Sequence, residues 1–390
     1  MAAGQAQGEL TPEFRKAPLL GRVRDVAIVG AGLAGLACAV AASAAGARVA
    51  VYERAAAPAA PPAHVDIVPN LLRDLVALGL ADACLRAGFV HQGPRVLDAG
   101  SGFQFDIDTP ALAGARYPAT LGIAYGALSQ VLGDAAVRQG CELHRGLAVA
   151  HIDARSGVLR LAGGDERQAD LVLLATGIDS PLRRELFDAP AAAAVEQDWW
   201  HVLLPRPAGV DRSLWIVAPG GRKAQLVPVS MQQAGVALLR PVAARTNHPV
   251  QRAASLREAL RGFPVPLAPL AAHLQDHTAV AIRPVRSELL PVPWHRGAVL
   301  AVGESAHAIP PHFGQPAAQS FEDAVVLGGL LRQPQSRESL LAQFTARRSA
   351  RAAQVNALAT QAAHWDLKPG PGTDLRRLSL ALAGLVAESA

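Results

Sequence analysis

The stretch RDVAIVGAGLAGLACAVAASAAGARVAVYER, residues 24–54, decides the fold. Residues 25–29 form an apolar run as long as one buried strand. Gly30, Gly32 and Gly35 follow at G-x-G-x-x-G spacing. Residues 36–45 are alanine-rich and predict a helix, with Gly46 as its stop. Residues 48–52 read as a second strand, and Glu53 ends it. The first glycine permits the tight strand-to-helix turn. The second lets a pyrophosphate approach the backbone, and the third lets helix pack on strand. The helix start offers free N–H groups and a positive dipole end to phosphate. Glu53 is placed to accept hydrogen bonds from a ribose. Strand, glycines, helix, strand and acid together predict dinucleotide binding, without separating FAD from NAD. A rival reading notes that residues 26–47 carry no charge, as in a membrane span or signal peptide. The run is mostly Ala and Gly, with its glycines where a turn needs them, so we set that reading aside.

Working outward, the chain of 390 residues is long enough for two or more lobes. Its 51% apolar and 18% charged content is that of a globular protein. The net charge of +5 comes without a long basic run, which suits anionic cofactors and gives no case for nucleic acid. Cys38, Cys84 and Cys141 stand far apart with no C-x-x-C, so reduced thiols and a cytoplasmic location are expected. No further stretch approaches a membrane span. No metal site is expected: His273 and His277 stand at helical ligand spacing but lack a third ligand.

Residues 55–63, AAAPAAPPA, cannot be helix and read as a loop that extends through His64 and Asp66. Residues 71–88 have helical spacing at Leu71, Leu72, Leu75, Leu78 and Leu80. Residues 95–98 and 103–107 alternate about a glycine turn and predict a hairpin. A helix over 126–139, a strand over 142–149 and a buried strand over 169–175 follow, the last running into Thr176 and Gly177. From about residue 186 short alternating strands predict an antiparallel sheet, at 199–205, 214–217, 223–228 and 235–240. Trp199 and Trp200 read as sheet core. Helices are expected over 251–262, 338–364 and 374–387.

A second informative stretch is GESAHAIPPHFGQPAAQSFEDAVVLGGLL, residues 303–331. A strand ends in Gly303 and Glu304, a Pro-bounded loop holds His307, Pro311 and His312, and Gly314 and Gln315 open a helix. That order suits a polar, anionic ligand at a helix start. Ser305 lacks the second glycine of a hydrolase elbow, with His307 in its place.

The pair GAGLAG…YER and GES-AH…PHFGQPAAQSFEDA resembles the class A flavoprotein monooxygenases of the para-hydroxybenzoate hydroxylase fold. Within them it is most similar to the branch of 6-hydroxynicotinate 3-monooxygenase and salicylate hydroxylase. The resemblance implies FAD, transient NADH or NADPH, O2, a flavin C4a-hydroperoxide and a small aromatic or N-heteroaromatic substrate. It implies an α/β fold: a Rossmann-like FAD/NAD(P)-binding domain, an antiparallel-sheet substrate domain and C-terminal helices. The expected division is a flexible tail at 1–24, an FAD-binding domain from 25–75, 95–185 and 280–335, a substrate domain at 186–279, and helices at 336–390. A homodimer fits the family.

Carried over by motif, Gly30, Gly32 and Gly35 hold the pyrophosphate and Glu53 the ribose. Leu147 lies in the strand that lends backbone to the adenine. Gly303 and Glu304 face the ribityl side, Pro311 stands beside the flavin ring, and Gly314 and Gln315 present amides to its pyrimidine. Asp66 aligns with a pocket histidine, where a carboxylate could accept a phenolic proton or fix the ring. His312 and His64 are further catalytic candidates. Several positions depart from the family. Thr176 replaces an Asp, Tyr125 stands where an Arg reaches the pyrophosphate, Pro61-Pro62-Ala63 replaces Gly-Ala-Gly, Glu304 replaces an Asp, and Pro316 replaces a Gly. These motivate two alternatives: a divergent flavoprotein oxidase or reductase, and a non-catalytic flavin-binding partner protein.

Overall fold

A computed structural model describes residues 23–58, 60–189, 194–220, 222–242 and 248–390. Strand Asp25–Val29 lies between two parallel partners, Arg48–Glu53 and Leu171–Leu174. Val299–Ala301 and Glu142–Arg145 extend this parallel sheet on either side, and His295–Arg296 closes one edge antiparallel. A parallel sheet is covered on both faces, which is why Leu171–Leu174 is apolar and buried throughout. Helices Leu33–Ala44, Tyr125–Arg138 and Gln315–Leu331 cover one face. The meander Val149–Asp153, Val158–Leu161, Glu166–Gln168 and helix Pro181–Phe187 cover the other.

The uncharged run 26–47 is thus a core strand and helix. Its small side chains let Gln315–Leu331 come close: a Cβ on Gly328 would lie 3.2 Å from that of Ala41. Among the described residues no helix is long and apolar enough to cross a membrane, and no group of His, Cys, Asp and Glu is placed to hold a metal.

A second sheet has seven strands in the order Ala281–Arg286, Ala194–Pro205, Gln233–Pro241, Arg222–Pro228, Leu214–Ala218, Arg95–Asp98 and Gln104–Asp106. Every pairing is antiparallel except that of Leu214–Ala218 with Arg95–Asp98. Helices Pro249–Arg261 and Leu267–Leu270 bury one face, on Val202, Leu204, Val236 and Leu238. By alternation the opposite face carries Trp199, His201, Lys223, Gln225 and Arg283.

Several expectations change. Arg95–Asp98, Gln104–Asp106 and Ala281–Arg286, assigned to the cofactor lobe, are hydrogen-bonded into the seven-stranded sheet. A strand's local pattern does not encode which distant strand it joins. Residues 64–67, read as loop, are strand His64–Ile67, paired with Thr120–Ala124 and buried at every position. A strand covered on both sides shows no alternation to read. Of the tail expected at 1–24, residues 1–22 lie outside the described residues. Val23 and Arg24 do not belong to it: Val23 is buried, and the Arg24 N–H donates to Asp170 Oδ2 at 2.8 Å.

The helix expected at 71–88 splits into Pro69–Ala77 and Ala81–Ala87, around Gly79 at φ +72°. The C-terminal helices are Arg337–Leu367 and Leu375–Val386. Ser336 caps the first and Asp374 the second, each side chain accepting a backbone N–H.

Candidate active site

The start of helix Leu33–Ala44 is built by three glycines in three different ways. Gly30 sits at φ +107°, and a Cβ there would lie 2.5 Å from the Ala175 carbonyl oxygen. A Cβ on Gly35 would lie 2.0 Å from the Gly30 oxygen, so helix and turn touch there. A Cβ on Gly32 would meet nothing within 4 Å among the described residues. Gly32 is the N-cap of the helix, without a side-chain cap, so the first N–H groups have no intrahelical partner, and that of Leu33 meets the Tyr125 hydroxyl.

Polar groups surround that opening. Glu53 accepts from the Ala31 N–H at 2.8 Å and the Ala55 N–H at 2.9 Å, which fastens the strand-end acid to the glycine turn. The Tyr125 hydroxyl lies against the Leu33 N–H, with Arg283, Glu304 and Glu53 around it. Burial raises its pKa, and the two carboxylates add to that against the pull of Arg283. Gly303 sits at φ +57°, and a Cβ there would stand 2.6 Å from that of Ala34. The next residue, Glu304, accepts from Arg283 Nη2 at 3.2 Å. The Thr176 hydroxyl is buried without a partner among the described residues. Leu147 is corrected: it follows strand Glu142–Arg145 rather than lying in it, is 40% exposed, and donates its N–H to the Glu53 carbonyl at 3.0 Å.

The second helix start is assembled differently. Phe313 and Gly314 are both left-handed, at φ 63° and 69°, just before helix Gln315–Leu331. The Gln315 side chain turns inward and bonds Asn70 and Gln319, so only its backbone is left for a ligand. Pro316 removes one N–H of the first turn. Beneath lies a buried charge network. Asp323 accepts from the Gly303 N–H at 2.8 Å and from Arg348 Nε at 2.7 Å, and meets His307 Nε2 at 2.7 Å. Arg348 also reaches Glu322 and the Gln319 carbonyl. Burial opposes ionisation of Asp323, yet His307 and Arg348 hold its pKa at about 2. Ser305 accepts from the Gly177 N–H at 2.9 Å and is fully buried, which fits a loop anchor and no nucleophile.

Pro311 is half-buried in the loop that leads into helix Gln315–Leu331. His312 is buried, with Nε2 2.8 Å from Asp366 Oδ2. Burial pushes its pKa down, against Asp366. Lys223, also buried, approaches the same Asp366 oxygen at 3.6 Å and stands over the ring of Trp215.

Asp66 is 6% exposed, and both of its oxygens are taken. Oδ2 accepts from the Ser213 hydroxyl at 3.0 Å and Gln225 Nε2 at 3.1 Å, and Oδ1 meets His91 Nε2 at 3.1 Å. The Gly93 N–H donates to His91 Nδ1, which assigns the His91 proton to Nε2 and the bond to Asp66. Burial opposes the charge of Asp66, but His91, His64 and Ser213 more than offset it, and its pKa is lowered. His64 Nε2 lies 3.4 Å from Gln225 Oε1, and a Cβ on Gly235 would collide with the His64 ring at 2.2 Å. The ring is therefore pinned on the sheet. His201 stands beside it, 4.1 Å from Trp199 between ring centroids, and burial drives its pKa well below the usual imidazole range.

The structure thus gathers Gly30, Gly32, Gly35, Glu53, Tyr125, Thr176, Gly303 and Glu304 at one helix start. Pro311, His312, Gly314 and Gln315 gather at the other. Arg283, His91, His201, Lys223, Arg348 and Asp366 escaped the sequence reading. Arg283 left one trace, an arginine in an otherwise apolar stretch, AVAIRPV. The open Gly32 face, the unpartnered Thr176 hydroxyl and the strand-end acid fit a dinucleotide.

A family model described as FAD binding domain matches residues 24–359. The chain belongs to the FAD-binding-domain family. The family's curated relatives include aurachin C monooxygenase/isomerase of Stigmatella aurantiaca, 28% identical over 84% of this chain and 85% of the relative. Another is 6-hydroxynicotinate 3-monooxygenase of Bordetella bronchiseptica, 26% identical over 79% of this chain and 82% of the relative. Among solved structures, the tetrameric form of 2-methyl-3-hydroxypyridine-5-carboxylic acid oxygenase superposes with a TM-score of 0.79. It is 21% identical and covers 94% of this chain and 96% of its own. Klebsiella pneumoniae HpxO complexed with FAD and uric acid gives 0.73 at 24% identity, over 94% and 93%. The resemblance to class A flavoprotein monooxygenases, and the α/β fold it implies, are borne out for this FAD-binding-domain protein.

Proposed function

We propose that the chain is an FAD-dependent monooxygenase that hydroxylates a small aromatic or N-heteroaromatic ring with NADH or NADPH and O2. The observation that carries this reading is the open face at Gly32 beside Glu53. A dinucleotide diphosphate fits there, and the family supplies FAD as its owner. Bound FAD would take two electrons from the nicotinamide and pass them to O2, one oxygen atom going to the ring and the other to water.

Around that chemistry the chain's residues bind and orient. The glycine turn and Glu53 would hold the nucleotide half. Pro311 and the amides from Gly314 onward would flank the ring, where a helix dipole favours negative charge. Asp66, with both oxygens bonded, acts as a positioning residue: it fixes His91 and Gln225 and so orders the pocket wall. His312 and His64 are likewise bonded or pinned, so the same part falls to them. Neutral, buried His201 and Trp199 give an apolar face suited to a flat ring. The substrates for which the relatives are named, a hydroxynicotinate and a hydroxypyridine carboxylic acid among them, support a nitrogen heterocycle. A homodimer and a cytoplasmic location belong to the same reading, the latter supported by three buried, unpaired cysteines.

Thr176 and Tyr125, neutral groups at the cofactor's edge, favour a second reading as a flavin oxidase or reductase. The test is to purify the full chain, record its flavin spectrum, and screen phenols and hydroxypyridines for stimulated NAD(P)H oxidation with a hydroxylated product. A yellow protein that consumes NAD(P)H and never yields such a product would leave the second reading standing.

A further inference from the structure

We propose that Arg283, carried by the seven-stranded sheet, is the cation that holds the cofactor's diphosphate, so that the nucleotide bridges the two sheets. The inference rests on the flavoprotein reading above and adds a residue to it.

The argument starts from charge. The groups around the Tyr125 hydroxyl, at the first turn of Leu33–Ala44, are the carboxylates Glu53 and Glu304 and the guanidinium of Arg283. A diphosphate entering the open Gly32 face carries further negative charge between those two acids. Helix N–H groups and dipole offset part of it, and a guanidinium matches phosphate oxygens with paired donors. Arg283 is the group placed for this. Its Nη2 bonds Glu304 at 3.2 Å, and its side chain is 58% exposed, so several N–H donors stay free. Glu304 in turn holds the guanidinium near the helix start, since Gly303 packs on Ala34 of the same first turn. Arg283 is on the edge strand Ala281–Arg286, opposite Trp199. The same strand therefore carries the phosphate contact and borders the wall that faces the ring.

The test measures FAD dissociation constants by flavin fluorescence on the full chain stripped of cofactor. Arg283→Gln is expected to weaken FAD by about ten- to a hundredfold. Arg283→Lys keeps the charge but not the paired donors, so its loss should be clearly smaller than that of Arg283→Gln. The deciding variant adds Tyr125→Arg to Arg283→Gln, placing a guanidinium at the same helix start from the other sheet. It should recover most of the lost affinity, which a merely structural loss would not allow. Unchanged FAD affinity in Arg283→Gln overturns the inference. So does a loss that is neither smaller in Arg283→Lys nor repaired by the added Tyr125→Arg. A parent chain that binds no FAD at all would remove the flavoprotein reading itself, and the inference with it.

Discussion

The two helix starts do related work with opposite construction. At Leu33–Ala44 the fitness lies in what is missing: glycines clear a path, and Gly32 leaves its face bare. At Gln315–Leu331 it lies in what is fastened: Gln315 is tied inward, and Arg348, Asp323, Glu322 and His307 lock the turn from below. The first is a local device of one short stretch. The second draws on a helix that ends at Leu367. A site made by removal tolerates change in its surroundings but none on its open face, whereas one made by fastening fails when a distant anchor goes.

The largest expected effect breaks the fastened start. Arg348→Met leaves Glu322 and Asp323 buried without their cation, and unfolding in urea should show a loss of about 3–5 kcal/mol. A loss under about 1 kcal/mol would mean the network is not what holds that turn. At the cleared start, Glu53→Ala removes a carboxylate from the nucleotide's edge. FAD affinity should fall by about one to two decades, roughly 1.5–3 kcal/mol, by equilibrium titration. An unchanged affinity would make Glu53 a loop fastener only.

Two glycines sharpen the comparison further. Gly35→Ala drives a methyl onto the Gly30 carbonyl, and thermal unfolding of the cofactor-free chain should show about 1–3 kcal/mol of destabilisation. Asp74, on the helix beside the fastened start, gives a pH-dependent case. Burial lifts its pKa to about 7, with Glu322 adding to the rise and Arg73 opposing it. A carboxyl that binds its proton more tightly when folded contributes stability below its unfolded pKa and loses it as pH rises through about 7. Asp74→Asn keeps the neutral form, so it should match the parent near about pH 4 and exceed it by about 1–2 kcal/mol near pH 8.5. A pH-independent difference would sink this. The smallest effect on stability belongs to Gly32→Ala, within about 0.5 kcal/mol of the parent without cofactor. FAD affinity should nonetheless fall, because the methyl occupies the open face. A variant that binds FAD as the parent does would show that the diphosphate passes elsewhere.

This contrast also explains what the sequence disclosed. The cleared start was legible because its parts are contiguous: strand, glycines, helix, strand and Glu53 within 24–54. The fastened start was legible only in position. Its anchor Arg348 sits in TARRSARAA, where it looks like one more surface charge on a long helix. Asp66 was singled out, but its four-residue strand followed a proline-rich loop and showed no period. Its partners His91, Ser213 and Gln225 come from three other strands or loops. Arg283 was missed for the same reason, since nothing near it names Glu304 or Tyr125 as a neighbour.

The seven-stranded sheet has a consequence for how the chain is made. Its strands come from residues 95–106, 194–241 and 281–286, and the parallel sheet waits for 295–301. As the chain leaves the ribosome, both sheets stay open along an edge until the same late stretch emerges. No fragment ending before residue 281 contains all the strands of either sheet. Such long-range closures are slow, so early-synthesised strands wait with unpaired edges. A nascent chain stalled just short of residue 281 should be the form most dependent on chaperones, and a cut between residues 286 and 295 would leave every strand of the seven-stranded sheet on one fragment while taking His295–Arg296 and Val299–Ala301 from the parallel one.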